Sequence, residues 1–225
     1  RDPFLLMKHH CIKALGLLGI SLLFLAGNAW TANVEPGTGY VNAFDTQPPA
    51  TDWATTSALG GAGDSYAPDA DINANVLASG ATTQTMSAPG SPPEANANAT
   101  WSSTGFYLQT RPTGVRYTVL MGTFVNNTGT NATQISIHYT LTIAGGGVAE
   151  ELGTRVYYSL SGLANSWTNI PALNTSSSTD GSTSMNATGV LSWTNGGTLY
   201  LAWLDDNGSG MGIDGANEID NFSLQ

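Results

Sequence analysis

The residues best placed to do chemistry form a short acidic run near the end of the chain. It reads Asp205-Asp206-Asn207-Gly208-Ser209-Gly210, followed by Asp214, Glu218 and Asp220. The spacing Asp205-x-Asn207-x-Ser209-Gly210 matches the first half of a Ca²⁺ loop. There, alternate residues of a tight turn offer hard oxygens to one ion and a glycine permits the bend. The second half does not match, because Ala216 stands where a bidentate Glu would close the site. Asp220 shares strand parity with Phe222 and Leu224, which predicts that it points inward. A buried carboxylate is costly unless it is paired, hydrogen-bonded or bound to metal. Two readings follow. In one, Asp205, Asn207, Ser209, Asp214 and Asp220 hold calcium. In the other, the run is a solvated hairpin loop and Asp220 caps backbone N–H groups.

Other chemistries find less material. Beyond residue 30, His138 is the only histidine, in mid-strand sequence with no Ser or Asp motif beside it. A surface strand residue fits it better than a Ser-His-Asp triad. A zinc site of the usual kind has no second His and no Cys to draw on. Glu150, Glu151 and Glu218 could supply paired carboxylates for glycoside hydrolysis, but no pair stands out by spacing. Gly208-x-Gly210-x-Gly212 lacks the strand-to-helix context of a phosphate loop. Among the tryptophans, Trp203 alternates with Leu199 and Leu201 and reads as core. Trp53 and Trp101 sit in loop-like sequence. They are candidates to stack on sugar rings, with packing as the alternative.

The front of the chain predicts export. Lys8, His9, His10 and Lys13 form a basic head, residues 14–26 are almost wholly apolar, and Gly27-Asn28-Ala29 offers small residues for cleavage. That is the layout of a signal peptide over 7–29. The run is shorter than the ~20 apolar residues of a comfortable membrane span. Residues 1–6 read as leader outside the fold. Cleavage after Ala29 removes Cys11, every Lys, Arg1 and Asp2. Arg111, Arg116 and Arg155 then face fifteen acidic residues, a net charge of −12. Three scattered Arg cannot neutralise a run of phosphates, so nucleic acid is excluded as a partner, and anionic membrane surfaces are disfavoured. Divalent cations and neutral polymers remain. Asn-x-Thr sequons, among them those at Asn98, Asn126 and Asn186, are frequent.

The elements that must position these residues read as strands. Charged residues make up only 10% of the chain, and it contains 27 Gly, a composition suited to turn-rich β structure. Residues 134–143 alternate strictly, with Ile135, Ile137, Tyr139 and Leu141 on one side and Ser136, His138, Thr140 and Thr142 on the other, as in a half-buried strand. Further strands are expected at 105–110, 115–125, 154–160, 167–170, 189–193, 198–204 and 218–224. Arg111-Pro112-Thr113-Gly114 reads as the turn of a hairpin. The loosest region, 30–103, is expected to hold only short strands, near 39–45 and 74–78, with 46–103 rich in loops, and no stretch beyond residue 30 shows helical periodicity. Strands at this spacing predict one all-β domain over 30–225, an antiparallel β-sandwich of jelly-roll type.

Once these strands are aligned, a resemblance emerges. It rests on Ile135-Ser-Ile-His-Tyr-Thr-Leu, Arg155-Val-Tyr-Tyr-Ser-Leu and Trp167-Thr-Asn-Ile-Pro-Ala-Leu. It continues through Leu199-Tyr-Leu-Ala-Trp-Leu-Asp-Asp-Asn-Gly-Ser-Gly and Glu218-Ile-Asp-Asn-Phe-Ser-Leu. Together these resemble a jelly-roll-type domain of secreted and surface bacterial proteins, including ones with PEP-CTERM sorting tails and extracellular nuclease-like proteins. Residues 40–53 fit the start of such a domain. Where that family's strand often continues into Glu-x-Trp-Arg, this chain has Leu141-Thr-Ile-Ala-Gly. The resemblance implies a non-catalytic surface, matrix or filament module. The expectation is therefore a secreted binding or structural protein, stabilised by calcium and contacting polysaccharide. A carbohydrate-active hydrolase on the same scaffold is the alternative.

Overall fold

The computed structural model describes residues 32–61, 65–147, 152–176, 179–208 and 214–225. In chain order the strands are β1 (Ala32–Val34), β2 (Tyr40–Asn42), β3 (Trp53–Ala58), β4 (Thr83–Gln84), β5 (Met86–Ala88), β6 (Thr100–Ser102), β7 (Leu108–Thr110), β8 (Tyr117–Asn126), β9 (Ala132–Ala144), β10 (Arg155–Ser159), β11 (Thr168–Asn169), β12 (Gly181–Trp193), β13 (Thr198–Asp206) and β14 (Ala216–Leu224). One helix, α1 (Pro68–Asn75), lies between β3 and β4. The strands form two sheets of seven. Sheet one runs β11-β10-β13-β8-β3-β4 with β1 added beside β8. Sheet two runs β12-β9-β14-β7-β6-β5 with β2 added beside β14. From β7 onward the chain shuttles between layers: β7, β9, β12 and β14 lie in sheet two, and β8, β10, β11 and β13 in sheet one. That alternation is a jelly-roll winding, and the fold is an all-β sandwich.

Side-chain alternation explains the layers. Ile135, Ile137, Tyr139 and Leu141 of β9 are buried, as are Leu199, Leu201 and Trp203 of β13. Between the sheets they meet an aromatic nest. Trp53 packs edge-on against Phe44, Phe124 and Phe222 with centroids 5.0–5.7 Å away, and lies 5.5 Å from Trp203. β8 and β13 are buried on both faces. Tyr117, Val119, Met121, Ala202 and Leu204 point out of the sandwich into a second core beneath α1, where Ile72 and Val76 cover them.

Three expectations fail here, each for a physical reason. The chain contains a helix. Pro68 sits in its first turn with Asp69 and Asp71, favourable for fixed φ and for the helix dipole, but only Pro68 and Ile72 are buried. Eight residues with one apolar contact leave no periodic signal. The strand expected near 74–78 is instead the end of this helix and the extended residue after it. Residues 105–125 are not a hairpin: β7 pairs with β14 in sheet two and β8 with β13 and β3 in sheet one. Arg111-Pro112-Thr113-Gly114 therefore carries the chain between layers.

Candidate functional site

The acidic run closes one end of the sandwich. Asp205 continues the inward parity of Leu201 and Trp203, so its carboxylate lies between the sheets, and both Asp205 and Asp206 are fully buried. From sheet two, Thr110 and its cross-strand partner Asn217 face into the same corner. Asn217 donates from Nδ2 to both oxygens of Asp205, at 3.1 and 3.2 Å. Thr154 donates its hydroxyl to Asp205 Oδ1 at 3.1 Å. The Leu152 N–H donates to Asp206 Oδ2 at 3.0 Å. Asp214 Oδ2 accepts the Gly208 N–H at 3.2 Å, and the Asp214 carbonyl accepts from Arg111 Nε at 2.9 Å. Burial holds the Asp205 carboxyl well above the usual carboxylate range, and the neighbouring charge of Asp206 adds to this. Burial likewise pushes Asp214 up to about 6. Asn217 Oδ1 is buried here without a hydrogen-bond partner, an oxygen suited to a hard cation.

The expected calcium set is only partly gathered. Asp205 and Asp214 share this corner. Asn207 lies beside it, but its carboxamide donates to the Val115 carbonyl at 2.6 Å. Asp220 is elsewhere. A register shift falls between Asp220 and Ser223, and Asn221 takes a left-handed φ of 50°. The extra residue reverses parity, so Ile219 and Phe222 point inward while Asp220 is only half-buried and accepts from the Asn221 N–H at 2.7 Å. Ser209 lies outside the described residues. Among those described, no three carboxylate, imidazole or thiol groups converge as a metal site. Asn217, which sequence reasoning missed, is the better-placed donor, visible only once β14 is set beside β7.

A second surface is formed by the outer face of sheet two. Register places the outward residues of β12, β9 and β14 in rows: Ser182, Thr142 and Glu218; Ser184, Thr140 and Asp220; Asn186, His138 and Ser223; and, from β12 and β9, Thr188 and Ser136. Neighbours in a row stand about 4.8 Å apart and rows about 6.8 Å apart. Glu218 is 8% exposed. Beside it the segment before β6 covers the sheet, since Tyr107 bonds to Ser91 and Gln109 to the Pro93 carbonyl. The later rows are open. An open groove of about 340 Å³ runs over Ser136, His138, Asn186, Thr188, Ser223 and Gln225. His138 Nδ1 meets Asn186 Oδ1 at 2.8 Å. A carboxamide oxygen only accepts, so Nδ1 is the donor in this pair.

The aromatic candidates separate. Trp53 is fully buried at the centre of the nest, its indole N–H on Tyr40 at 3.0 Å, so the expectation that it is exposed to a ligand fails. Trp101 is half-buried at the rim. Its indole N–H donates to the Phe44 carbonyl at 2.8 Å, and its ring lies 6.3 Å from the exposed Phe106. Of the hydrolase candidates, Glu218 is covered, and Glu150 and Glu151 lie outside the described residues. Three further grooves lie over 56–80, over 141–185 beside β12, and around Tyr66 and Arg155; neither these nor the groove at His138 has two carboxylates on its walls.

This geometry defines a class: a jelly-roll β-sandwich with one helix-covered sheet and one open polar sheet. No family model and no curated protein matches the chain. Similar solved structures include TmCBM27, a carbohydrate-binding module described for specific mannan recognition. It is 13% identical with a TM-score of 0.36, covering 82% of this chain and 96% of that one. Another is TmCBM61, solved with β-1,4-galactotriose, 10% identical with a TM-score of 0.31, covering 56% and 74%. Likeness this distant carries no site across.

Proposed function

We propose that the chain is an exported, non-catalytic binding module that takes a neutral polysaccharide on the outer face of sheet two. The carrying observation is the open part of that face, where Ser136, His138, Asn186, Thr188 and Ser223 line one groove. Hydroxyl, amide and imidazole groups there can both donate and accept, which suits a polyhydroxylated ligand. No Lys or Arg lines the groove, so an anionic polymer would find no counter-charge. The apolar run 14–26 supports export. Among the described residues, no helix is long and apolar enough to cross a membrane.

Retardation of the protein in gels containing neutral glucans, mannans or galactans tests the reading, with an anionic polymer as comparison. Replacing His138 and Asn186 together by Ala removes two hydrogen-bonding groups, each contributing about 1 kcal/mol. Binding should weaken roughly 10- to 30-fold. The reading fails if no neutral polymer retards the protein, or if the double variant binds as well as the parent.

Calcium at the buried corner is the second part of the proposal. Asp205, Asp214 and Asn217 Oδ1 are the described oxygens an ion would draw on, and its charge would favour the ionised form that burial disfavours in both carboxyls. An ion that binds only the folded state raises the unfolding midpoint. Chelation should therefore lower it, and an unchanged midpoint removes calcium from the account.

A further inference from the structure

Among the described residues, the four ends of the two strand orders are unequal, and β1 and β2, of three residues each, add further short margins. Sheet one ends in β11 and β4, of two residues each, and sheet two ends in β5, of three. Edges this short are one way in which sheets avoid unwanted pairing. The fourth edge is β12, with 13 residues. It reads Gly-Ser-Thr-Ser-Met-Asn-Ala-Thr-Gly-Val-Leu-Ser-Trp, without a charge or a proline. Its register with β9 is unbroken from Gly181 to Val190 and shifts only before Trp193. Among the described residues, no strand pairs with its other side. Of the protective devices of an exposed edge, short length, lysine, proline and a central bulge are missing here, and the turn Pro171–Leu173 packs beside the strand without pairing with it.

The chemistry of the strand indicates its occupant. The whole chain carries a net charge of −10, so most faces of two copies repel each other. β12 has no ionisable side chain. The nearest flanking acid in sequence, Asp180, sits at one end, so an antiparallel pairing keeps the two Asp180 carboxylates at opposite ends of the ladder. Inward-facing Met185 and Ala187 are buried at the margin of the core, while Leu191 is half-buried and Val190 is 84% exposed. A two-fold axis through Asn186 aligns 181–191 with its own copy over about 37 Å of backbone. Faces then match faces. Met185 of one copy lies beside Ala187 of the other on the inner side, and Ser184 beside Thr188 on the outer side. The contact uses the same patch twice and closes on itself.

We infer that β12 is the interface of a closed homodimer, formed by antiparallel pairing of this strand with a second copy of the chain about an axis at Asn186. The inference is independent of the polysaccharide reading, although the dimer would join two outer faces into one.

Sedimentation equilibrium of the full chain tests it, with hydrogen exchange on the β12 amides. The expected result is twice the chain mass, with β12 amides that become protected as concentration rises. In S184K/T188K, lysine faces lysine twice across the axis, and like charges directly opposite destabilise pairing. That variant should sediment at a single chain mass, and its unfolding midpoint should equal that of the parent diluted to the monomer, since pairing itself stabilises the folded chain. In S184K/T188E the same register sets lysine against glutamate, and the dimer should return. A single-chain mass for the parent at its solubility limit overturns the inference. So does a dimer that persists in S184K/T188K, which would place association on another surface such as the apolar run 14–26. Failure of S184K/T188E to regain the dimer overturns it as well.

Discussion

Asp205 and Asp214 carry a measurable consequence of their burial. An unfolded Asp titrates near 3.9, whereas burial pushes Asp214 up to about 6 and Asp205 higher, toward neutrality. Between those values the folded chain holds more protons than the unfolded one, so stability falls as pH rises. For chelated protein, the unfolding midpoint should therefore drop from about pH 4 to about pH 6 and continue downward toward neutrality. D205N, which keeps the shape and removes one titration, should flatten the upper part of that profile. A profile in D205N as steep as in the parent would dismiss the role given to Asp205. This corner was legible in part. The Asp205-x-Asn207 spacing located it, since loop residues announce themselves by Asp, Asn and Gly. Asn217 did not, because an amide within a strand pattern looks like any polar position until the opposing layer is in place. Trp53 misled for the reverse reason: proline and glycine around it suggested a loop, yet its ring is the hub of the nest.

At the level of elements, the bulge in β14 decides which way the last strand faces. Asn221 holds a left-handed φ of 50°, a region that Asn and Gly enter far more readily than β-branched residues. N221G should leave stability nearly unchanged, whereas N221V should cost about 1–2 kcal/mol, as read by denaturant unfolding. Equal stability of the two variants would show that the bulge is not strained. A bulge of this kind is invisible to alternation, which is why Asp220 was expected to point inward. β9 was legible because its residues alternate over many positions, whereas β8 and β13, buried on both faces, were legible as long β-rich apolar runs. Strands of two or three residues, such as β4, β5 and β6, give alternation nothing to repeat. The Pro-Thr-Gly turn after Arg111 identifies a reversal of the chain without saying whether it stays in one layer.

For the molecule as a whole, sheet one is enclosed twice, by the sandwich and by α1, while most of the outer face of sheet two stays bare. The proposed ligand face and the proposed dimer edge both belong to the less covered of the two sheets. The arrangement also has an optical consequence. Trp53 and Trp203 sit 5.5 Å apart with an interplanar angle of 36°, and Tyr139 is 5.7 Å from Trp203. Aromatic rings fixed so close together should give the native state a near-ultraviolet dichroic signal, which is lost when specific packing is lost. Trp53 and Trp203 both belong to sheet one and Tyr139 to sheet two, so parting the layers would break only the Tyr139–Trp203 pair, and the share of the signal that this pair contributes reports whether the two halves are closed.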